Sequence, residues 1–343
     1  MDYDSDQVLA AQEPDLKLEP ASLTKVMTTY LVAAALKQKT ISSGQPVTIS
    51  ERAWRTYGSR TFLQVGSQAT VDDLLKGMVI QSGNDASVAL AEAVAGSEDA
   101  FADRMNREAQ RLGLSSTHFL NASGFFDNAQ PAHHSTTRDL AHLAAALIRD
   151  HPETHALHSV KEYSFKKIRQ QNRNRLLWLD PTVDGLKTGH SSAAGYCLIA
   201  TAKRGPRRLI SVVLGAPSDS ARSDDSLKLL NWGYQAFDTV KLHDKNQPAA
   251  QFAVFKGSKS NVAAGFIEDF ALSLPKDSAS RVVGKFEGQQ PLIAPVKAGS
   301  RVGMLKVSID GQSWGEYPVL ALEDIPLAGF FGRAWDSVRL WFH

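Results

Sequence analysis

The chain has 343 residues, enough for about two domains of ordinary size. Its 38 basic and 36 acidic residues leave a formal net charge of only +2, which argues against a strongly electrostatic nucleic-acid binder. There is no uninterrupted apolar run long enough for a membrane-spanning helix. The single cysteine, Cys197, excludes an internal disulfide, and its apolar surroundings predict a buried, unreactive thiol.

The first 240 residues alternate between helical and strand-like patterns. A short strand is predicted at "QVLA", residues 7–10, and an apolar helix after Pro20. Thr136 with Asp139 resembles a pair that caps a helix start. Helical periodicity further predicts helices over 71–80, 85–96, 98–113, 136–150 and 223–237. Strands are predicted over 195–202 and 207–215, joined by the turn-like "KRGP".

After about Val240 the pattern changes to short apolar segments separated by Gly, Pro, Asn and Ser. Turn signals recur roughly every 8–12 residues, which is typical of a small all-β sandwich. The predicted strand segments are 251–257, 270–275, 281–288, 291–296, 302–311 and 315–322.

The segment "PASLTK" carries the first chemical motif. Ser22 and Lys25 stand at i and i+3 of the predicted helix, so their side chains are neighbours on one face. A hydroxyl beside an amine is a possible nucleophile and base. The same S-x-x-K spacing also occurs at Ser164–Lys167 and Ser273–Lys276. Alone, the motif therefore favours a helix start with an exposed lysine over a catalytic pair.

Two further motifs occur once each in the chain. Ser82–Gly83–Asn84 is the only S-x-N, between two predicted helices, and Lys187–Thr188–Gly189 is the only K-T-G, before a predicted strand. Glycine at the end of that motif permits a ligand to approach the backbone closely. Penicillin-binding proteins and class A β-lactamases typically have these three motifs in the same order, with S-D-N as the second motif where this chain has Ser82–Gly83–Asn84.

Over nearly its whole length the chain resembles the D-alanyl-D-alanine carboxypeptidases, which are low-molecular-mass penicillin-binding proteins. The resemblance implies an α/β fold. A penicillin-binding, serine β-lactamase-like domain (residues 1–240, an antiparallel sheet with helices) would precede a small all-β sandwich (241–325) and an amphipathic membrane-association helix (326–343). Beyond the three motifs, the resemblance rests on the segments "QSGNDASVALAE", "LGLSSTHF", "QQNRNRLLW" and "VDGLKTGHSSAAGY". One departure is Ser123–Gly124–Phe125, where the family often has His-Gly-Leu, so the role of that histidine does not transfer.

The resemblance implies removal of the terminal D-alanine from peptidoglycan peptide stems through an acyl-enzyme on Ser22. Lys25 would be the base if burial and the nearby charge of Lys187 keep it neutral, and Ser82 would relay a proton. β-Lactam antibiotics would act as inhibitors, and no cofactor is expected. The substrate-binding residues implied are Asn84, Arg173, Lys187, Thr188, Gly189, His190 and Arg222. Arg175 has no counterpart in the family and is interpreted as a surface charge.

Three alternatives stay open. A β-lactamase uses the same fold and motifs, but Glu153, followed by "THAL", does not match the E-x-x-L-N segment of class A enzymes. A DD-endopeptidase acting on crosslinks is chemically very close. A non-catalytic cell-wall scaffold belongs to another class, and it would have no need for all four of Ser22, Lys25, Ser82 and Lys187.

Metal binding is not expected. His133 and His134 are adjacent, so on a strand they would point to opposite sides, and neither H-E-x-x-H nor a paired-cysteine motif is present. We expect a solvated loop around these histidines.

The C-terminal segment has apolar residues at helical spacing, which predicts an interfacial helix on a membrane surface or, alternatively, a helix docked on the β domain. The residues of this stripe are Leu327, Phe330, Phe331, Ala334, Trp335, Val338, Trp341 and Phe342.

The N-terminal segment "MDYDSDQVLA" is acidic and lacks the apolar region of a signal peptide. Composition alone fits a cytosolic protein or a processed chain. The resemblance favours a chain without its signal peptide, attached peripherally to the periplasmic face of the inner membrane.

Overall fold

The protein was analysed as a computed structural model that describes residues 1–329. The chain divides into two compact units. The first unit consists of Met1–Tyr3 and Val8–Tyr234, and the second of Asp4–Gln7 and Gln235–His343. The predicted fold class is confirmed, with an α/β unit that contains an antiparallel sheet and a separate β unit. Most of the predicted C-terminal helix lies outside the described residues.

The helices belong to the first unit, although the last of them runs on to Ala236. They are α1 (Lys25–Lys37), α2 (Glu51–Arg55), α3 (Val71–Ile80), α4 (Asn84–Ala95), α5 (Glu98–Arg111), α6 (Thr137–Asp150), α7 (Pro152–His155), α8 (Leu176–Leu179) and α9 (Asp219–Ala236). Single 3₁₀ turns cover Ala21–Thr24 and Ala156–Ser159. Within residues 1–329 no helix is long and apolar enough to cross a membrane.

Local sequence explains several helix starts. The Thr136 hydroxyl accepts a hydrogen bond of 3.1 Å from the amide of Asp139, which confirms the predicted cap of α6. Thr70 caps α3 in the same way through Asp73. Helix α1 differs, because all six residues from Lys25 to Tyr30 are buried. A helix buried on all sides places a lysine at its start inside the protein.

The strands of the first unit form three small sheets. They are β1 (Pro46–Thr48), β2 (Gln68–Thr70), β3 (Glu162–Phe165), β4 (Ile168–Gln171), β5 (Val183–Ser191), β6 (Gly195–Arg204) and β7 (Arg207–Ala216). The largest sheet has the antiparallel order β5-β6-β7, and its register pairs Gly189 with Cys197.

The predicted strand over residues 7–10 is wrong, because these residues have no regular secondary structure. Leu9 instead packs against a hydrophobic cluster that includes Leu230 of α9. An irregular segment can bury an apolar side chain in this way, and a run of only four residues does not distinguish it from a strand.

As far as residue 329, the second unit is all-β apart from the end of α9 and one short 3₁₀ turn, as predicted. Its strands are β8 (Phe237–His243), β9 (Pro248–Ala253), β10 (Asn261–Gly265), β11 (Phe270–Pro275), β12 (Val282–Gly288), β13 (Arg301–Ile309) and β14 (Gln312–Ala321). They form a five-stranded sheet of order β12-β13-β14-β10-β9 and a two-stranded sheet of β11 and β8. Both sheets contribute to one core, for example through Leu272 of β11 and Leu305 of β13.

The predicted strand over residues 291–296 is wrong. This segment makes only the isolated bridges Phe255–Ile293 and Val296–Ile325. Pro291 and Pro295 lack the amide hydrogen that a ladder requires, which explains why the apolar pattern does not become a strand.

Candidate active site

Ser22 lies in the 3₁₀ turn Ala21–Thr24 that precedes α1, rather than inside the helix as the sequence predicted. The predicted neighbour relationship is nevertheless present, since the Lys25 Nζ lies 3.0 Å from the Ser22 Oγ. Ala21 has φ of +46°, a left-handed conformation that is costly for a residue with a side chain. The turn that carries the hydroxyl is therefore strained and must be held by its surroundings.

Lys25 is fully buried and makes two further hydrogen bonds. Its Nζ donates to the Asn84 Oδ1 at 2.7 Å and to the Ser123 carbonyl oxygen at 2.8 Å. The Asn84 amide is oriented by its Nδ2, which donates to the Tyr57 carbonyl oxygen at 2.6 Å. The first and second sequence motifs thus meet at the Lys25 amine, and none of its three partners is a carboxylate.

This environment lowers the pKa of Lys25 to about 7, first through burial and then through the charge of Arg173. Lys187 was predicted to be the second cation, and the charge that lowers the pKa of Lys25 here is that of Arg173. The pKa of Lys187 is itself lowered well below its ordinary value by burial and by the charges of Lys25, Arg173 and Arg222. The sequence shows that a cation is near but not which of several basic groups faces the amine.

The third motif lies in strand β5. Lys187 is buried, and its Nζ donates to the carbonyl oxygen of Thr188 at 3.0 Å. A side chain at Gly189 would lie 3.1 Å from the Pro20 carbonyl oxygen and 3.3 Å from the Ser22 backbone nitrogen. Glycine at this position therefore lets the strand lie directly against the turn that carries Ser22.

The two arginines named from the sequence have different surroundings. Arg222 is buried, and its Nη1 donates to the carbonyl oxygens of Gly189 at 2.7 Å and Cys197 at 3.3 Å, while its other nitrogen pairs with Asp219. Arg222 thus links β5 and β6. Arg173 is exposed and has no hydrogen-bond or ion-pair partner among residues 1–329. Its guanidinium is free to meet an anion. Arg175 is exposed, with Asp219 at 3.9 Å.

Three other predicted residues lie in the same motifs. Ser82 has φ of +68° just before α4, and it is only 3% exposed. In the part of the chain that the structure describes, the hydroxyls of Ser82 and Thr188 have no hydrogen-bond partner. His190 is exposed at the end of β5, and its ring contacts that of Tyr196 with centroids 4.1 Å apart.

The other two S-x-x-K sequences do not form such a site. Ser164 is exposed on β3, and Lys167 lies in the turn before β4. Ser273 is buried in β11 of the second unit. Sequence spacing alone does not distinguish the first S-x-x-K sequence from the other two. Burial of its lysine does distinguish it.

Several residues at the site were not found from the sequence. The Ser123 carbonyl contacts Lys25, and its loop is held by Asn121, whose Oδ1 accepts from the amides of Ser123 and Gly124 at 3.1 and 2.7 Å. A backbone carbonyl leaves no signal in a sequence. Asp85 is buried, and its carboxylate accepts from the amide of Thr61 at 2.8 Å.

His133 contradicts the expectation of a solvated loop. It is only 1% exposed, its Nε2 lies 2.8 Å from the Thr24 Oγ1, and its Nδ1 accepts from the Leu120 amide at 2.9 Å. The rings of Phe119 and Phe126 pack edgewise on it, which excludes water. His134 is partly exposed. Two adjacent histidines in a polar loop give no indication that one of them is buried.

Within residues 1–329 no group of three His, Cys, Asp or Glu side chains is placed to hold a metal ion. Cys197 is fully buried, and burial raises the pKa of its thiol, as the sequence predicted for an unreactive cysteine.

Comparison with known proteins agrees with this geometry. Residues 1–218 match the family model of D-alanyl-D-alanine carboxypeptidase, and residues 237–327 match the penicillin-binding protein 5 C-terminal domain. The chain is 44% identical to D-alanyl-D-alanine carboxypeptidase DacC of Escherichia coli over 351 residues, covering 100% of this chain and 87% of the relative.

Two solved structures are also similar. Penicillin-binding protein 5 from Haemophilus influenzae has a TM-score of 0.88 and 39% identity, covering 95% of this chain and 96% of that one. Penicillin-binding protein D2 from Listeria monocytogenes in its ampicillin-bound form has a TM-score of 0.62 and 33% identity, covering 68% of this chain and 94% of that one. The chain therefore belongs to the D-alanyl-D-alanine carboxypeptidase family of serine hydrolases.

Proposed function

We propose that this chain removes the terminal D-alanine from peptidoglycan pentapeptide stems through a covalent acyl-enzyme on Ser22. The observation that carries the proposal is the set of three partners around the buried amine of Lys25. Two of them, the Asn84 Oδ1 and the Ser123 carbonyl oxygen, only accept hydrogen bonds. The third, the Ser22 hydroxyl, can either accept or donate.

The difference between the two acceptor-only partners and the hydroxyl determines which hydrogen bonds a neutral Lys25 amine would make. A neutral amine has two N–H groups and one lone pair. If both N–H groups donate to the two acceptor-only partners, the lone pair is left facing the Ser22 Oγ at 3.0 Å. The hydroxyl then donates its proton toward the amine, which is the geometry that a general base requires. A pKa near 7 makes this state available at neutral pH.

The reaction then follows in two steps. The Ser22 oxygen bonds to the carbonyl carbon of the penultimate D-alanine while its proton moves to the Lys25 Nζ. The tetrahedral intermediate collapses by breaking the C–N bond, and the proton on Lys25 passes through Ser82 to the leaving D-alanine amine, so that Lys25 is neutral again. Water next attacks the ester, loses a proton to Lys25, and releases the shortened peptide as Ser22 recovers its hydrogen.

The remaining residues would bind the substrate. The backbone amides of Ser22 and His190 are proposed to hold the oxyanion, and losing one such donor typically costs about 3–4 kcal/mol of barrier. Arg173, Lys187 and Thr188 are proposed to bind the terminal carboxylate. The free guanidinium of Arg173 supports this assignment because its fork geometry suits a carboxylate.

The other residues named from the sequence have supporting roles in this proposal. Asn84 would orient Lys25 and the peptide backbone. Arg222 would support Gly189 of the K-T-G strand. β-Lactams would acylate Ser22, in line with the ampicillin-bound state of the Listeria relative. A β-lactamase and a DD-endopeptidase remain the chemical alternatives.

We also propose three functional regions. Residues 1–240 would be the catalytic domain, 241–325 a β-rich stalk, and 326–343 an amphipathic helix that attaches the chain to the periplasmic face of the inner membrane. The spacing of aromatic residues after Pro326 supports this attachment. Deleting residues 326–343 should release the protein from anionic liposomes without changing turnover on a soluble peptide.

Two measurements test the proposed reaction. Mass spectrometry after penicillin exposure should find the adduct on Ser22, and Ser22→Ala should abolish labelling. Ser164→Ala, in the second S-x-x-K sequence, is the matched control and should label normally. Release of D-alanine from a pentapeptide then identifies the carboxypeptidase. A protein that labels on Ser22 but rapidly hydrolyses penicillin, without releasing D-alanine, would instead be a β-lactamase.

A further inference from the structure

His133 is a buried side chain that contacts the turn carrying Ser22 but belongs to none of the three motifs. Its only direct polar partners among the described residues are the Thr24 hydroxyl and the Leu120 amide. Thr24 is the last residue of the 3₁₀ turn, and Lys25 begins α1 directly after it. The imidazole is therefore connected by one hydrogen bond to the short segment between the proposed nucleophile and its base.

The hydrogen bonds of the imidazole fix its tautomer. The Leu120 amide donates to Nδ1, so this nitrogen carries no proton in the neutral ring. The proton is then on Nε2, which donates to the Thr24 Oγ1 at 2.8 Å. Burial and the charges of His118 and His134 lower the pKa of His133 to about 3, so the ring is neutral at neutral pH.

The segment between Leu120 and His133 encloses the turn from one side. The Ala122 carbonyl accepts from the Thr28 hydroxyl at 2.7 Å, and the Ser123 carbonyl accepts from Lys25 at 2.8 Å. Gly124 packs so closely that an added Cβ would lie 1.9 Å from the Ala21 carbonyl oxygen and 2.4 Å from the Thr24 Oγ1. The hydrogen bond from His133 is the one side-chain bond that this segment makes to the turn itself.

The strain in the turn Ala21–Thr24 explains why the hydrogen bond from His133 matters for catalysis. Ala21 is left-handed at φ of +46°, a conformation that persists only when the surroundings enforce it. If the turn relaxed, the Ser22 Oγ would move away from the lone pair of Lys25. Catalysis is sensitive to such shifts, because a displacement of about 1 Å can reduce a rate by roughly 100-fold.

We propose that His133 is a positioning residue for acylation, which holds the strained turn of Ser22 through a hydrogen bond from its Nε2 to the Thr24 hydroxyl. This inference rests on the proposed function of Ser22 and Lys25, and it adds a residue outside their motifs. The imidazole does not touch the substrate. It acts on the geometry of the reacting pair.

Two amide variants separate the two hydrogen bonds. His133→Gln places a donor near the position of Nε2 and retains the bond to Thr24. His133→Asn places an acceptor near the position of Nδ1 and retains the bond from Leu120, but it is too short to reach Thr24. If His133 only held the loop through its bond from the Leu120 amide, the Asn variant would be the milder change.

Acylation by a fluorescent penicillin, followed over time at several concentrations, separates initial binding from the acylation step. We expect His133→Asn to slow the acylation step by about ten-fold or more with unchanged initial binding, and His133→Gln to stay within about three-fold of the parent. Thr24→Val should reproduce the loss, and Thr24→Ser should not. The double variant His133→Asn/Thr24→Val should be no slower than the slower single variant.

Several results would overturn the inference. Equal losses in the Asn and Gln variants that follow their melting temperatures would show a structural role only. Additive losses in the double variant would show that the two residues act separately. Failure of the proposed function has a different signature, since Ser22→Ala would then still be labelled by penicillin.

Discussion

Two lysines of the first unit and two of the second have opposite surroundings. In the first unit Lys25 and Lys187 are 0% and 3% exposed, and their hydrogen bonds go only to neutral oxygen atoms. In the second unit the side chains of Lys241 and Lys306 are 51% and 46% exposed, and each pairs with a carboxylate at 2.6 Å.

The pKa values shift in opposite directions as a result. Burial lowers the pKa of Lys25 to about 7, whereas hydrogen bonds to Asp244 and Glu287 raise the pKa values of Lys241 and Lys306. An exposed ion pair typically stabilises a protein by about 0–1 kcal/mol. A buried lysine without a carboxylate destabilises the fold when it is charged, and in return it provides a neutral amine at physiological pH.

The largest expected effect is on acylation when Lys25 is replaced. Lys25→Met should slow acylation by penicillin by about 10²–10⁴-fold, the usual contribution of a positioned general base. In the parent protein the acylation rate should rise with pH below about 7 and level off above it, because the reactive amine is neutral only above its pKa. Stopped-flow acylation from pH 5 to 9 checks this.

Lys245, an exposed lysine of the second unit that pairs with Glu268, is the matched control. Lys245→Met should leave both the rate and its pH dependence unchanged. A rate that is flat from pH 5 to 9 in the parent would contradict a titrating base at this position. A bell-shaped profile would report two macroscopic pKa values of the coupled lysines rather than values of single residues.

The same burial should appear in the pH dependence of stability. Between pH 7 and 10.5 the unfolded chain keeps the Lys25 proton, while the native protein has released it. The unfolded state binds more protons, so the free energy of unfolding should rise with pH in this window by up to about 1.4 kcal/mol per unit from this group. Below pH 7 both states are protonated and this dependence ends.

Urea unfolding of the parent and of Lys25→Met at matched pH values measures this contribution. The difference in unfolding free energy, parent minus variant, should increase from pH 7 toward pH 10.5. A difference that stays constant would mean that Lys25 titrates near its ordinary value, and the comparison between buried and exposed lysines would then fail.

Sequence patterns predicted the parts of this molecule that depend on local chemistry. The cap of α6 by Thr136 and the all-β second unit follow from short-range rules, and the structure confirms both. The prediction of strands failed where a segment has an apolar pattern but its backbone does not form the hydrogen bonds of a sheet. Residues 7–10 and 291–296 are apolar, but neither pairs as a strand.

The site was predicted in the same partial way. The first two motifs gave Ser22, Lys25 and Asn84, and the structure places the Ser22 hydroxyl and the Asn84 amide oxygen within hydrogen-bond distance of the Lys25 amine. The Ser123 carbonyl could not be predicted, because any residue supplies the same group. His133 could not be predicted either, because its burial depends on Phe119 and Phe126 packing around it in three dimensions.

A smaller effect is expected at Arg173. Arg173→Gln should reduce turnover of a peptide with a free terminal carboxylate by about 10- to 100-fold, since a hydrogen bond to a charged group is typically worth about 1.5–3 kcal/mol. A substrate analogue with a terminal amide or ester should lose much less. Arg175→Gln, two residues away and exposed, is the control and should change neither. Equal losses on both substrates would make Arg173 a structural residue.

The smallest effect is expected at an exposed lysine of the second unit. Lys306 on β13 pairs with Glu287 of β12 at 2.6 Å and lies 3.9 Å from Glu316 of β14. Because water and salt screen these charges, Lys306→Gln should lower the free energy of unfolding only slightly, and only at low salt. The difference should shrink as salt is added, and acylation should not change. A large loss of stability that persists at high salt would show that this strand ladder depends on its ion pairs. Exposure would then not explain why the two groups of lysines behave differently.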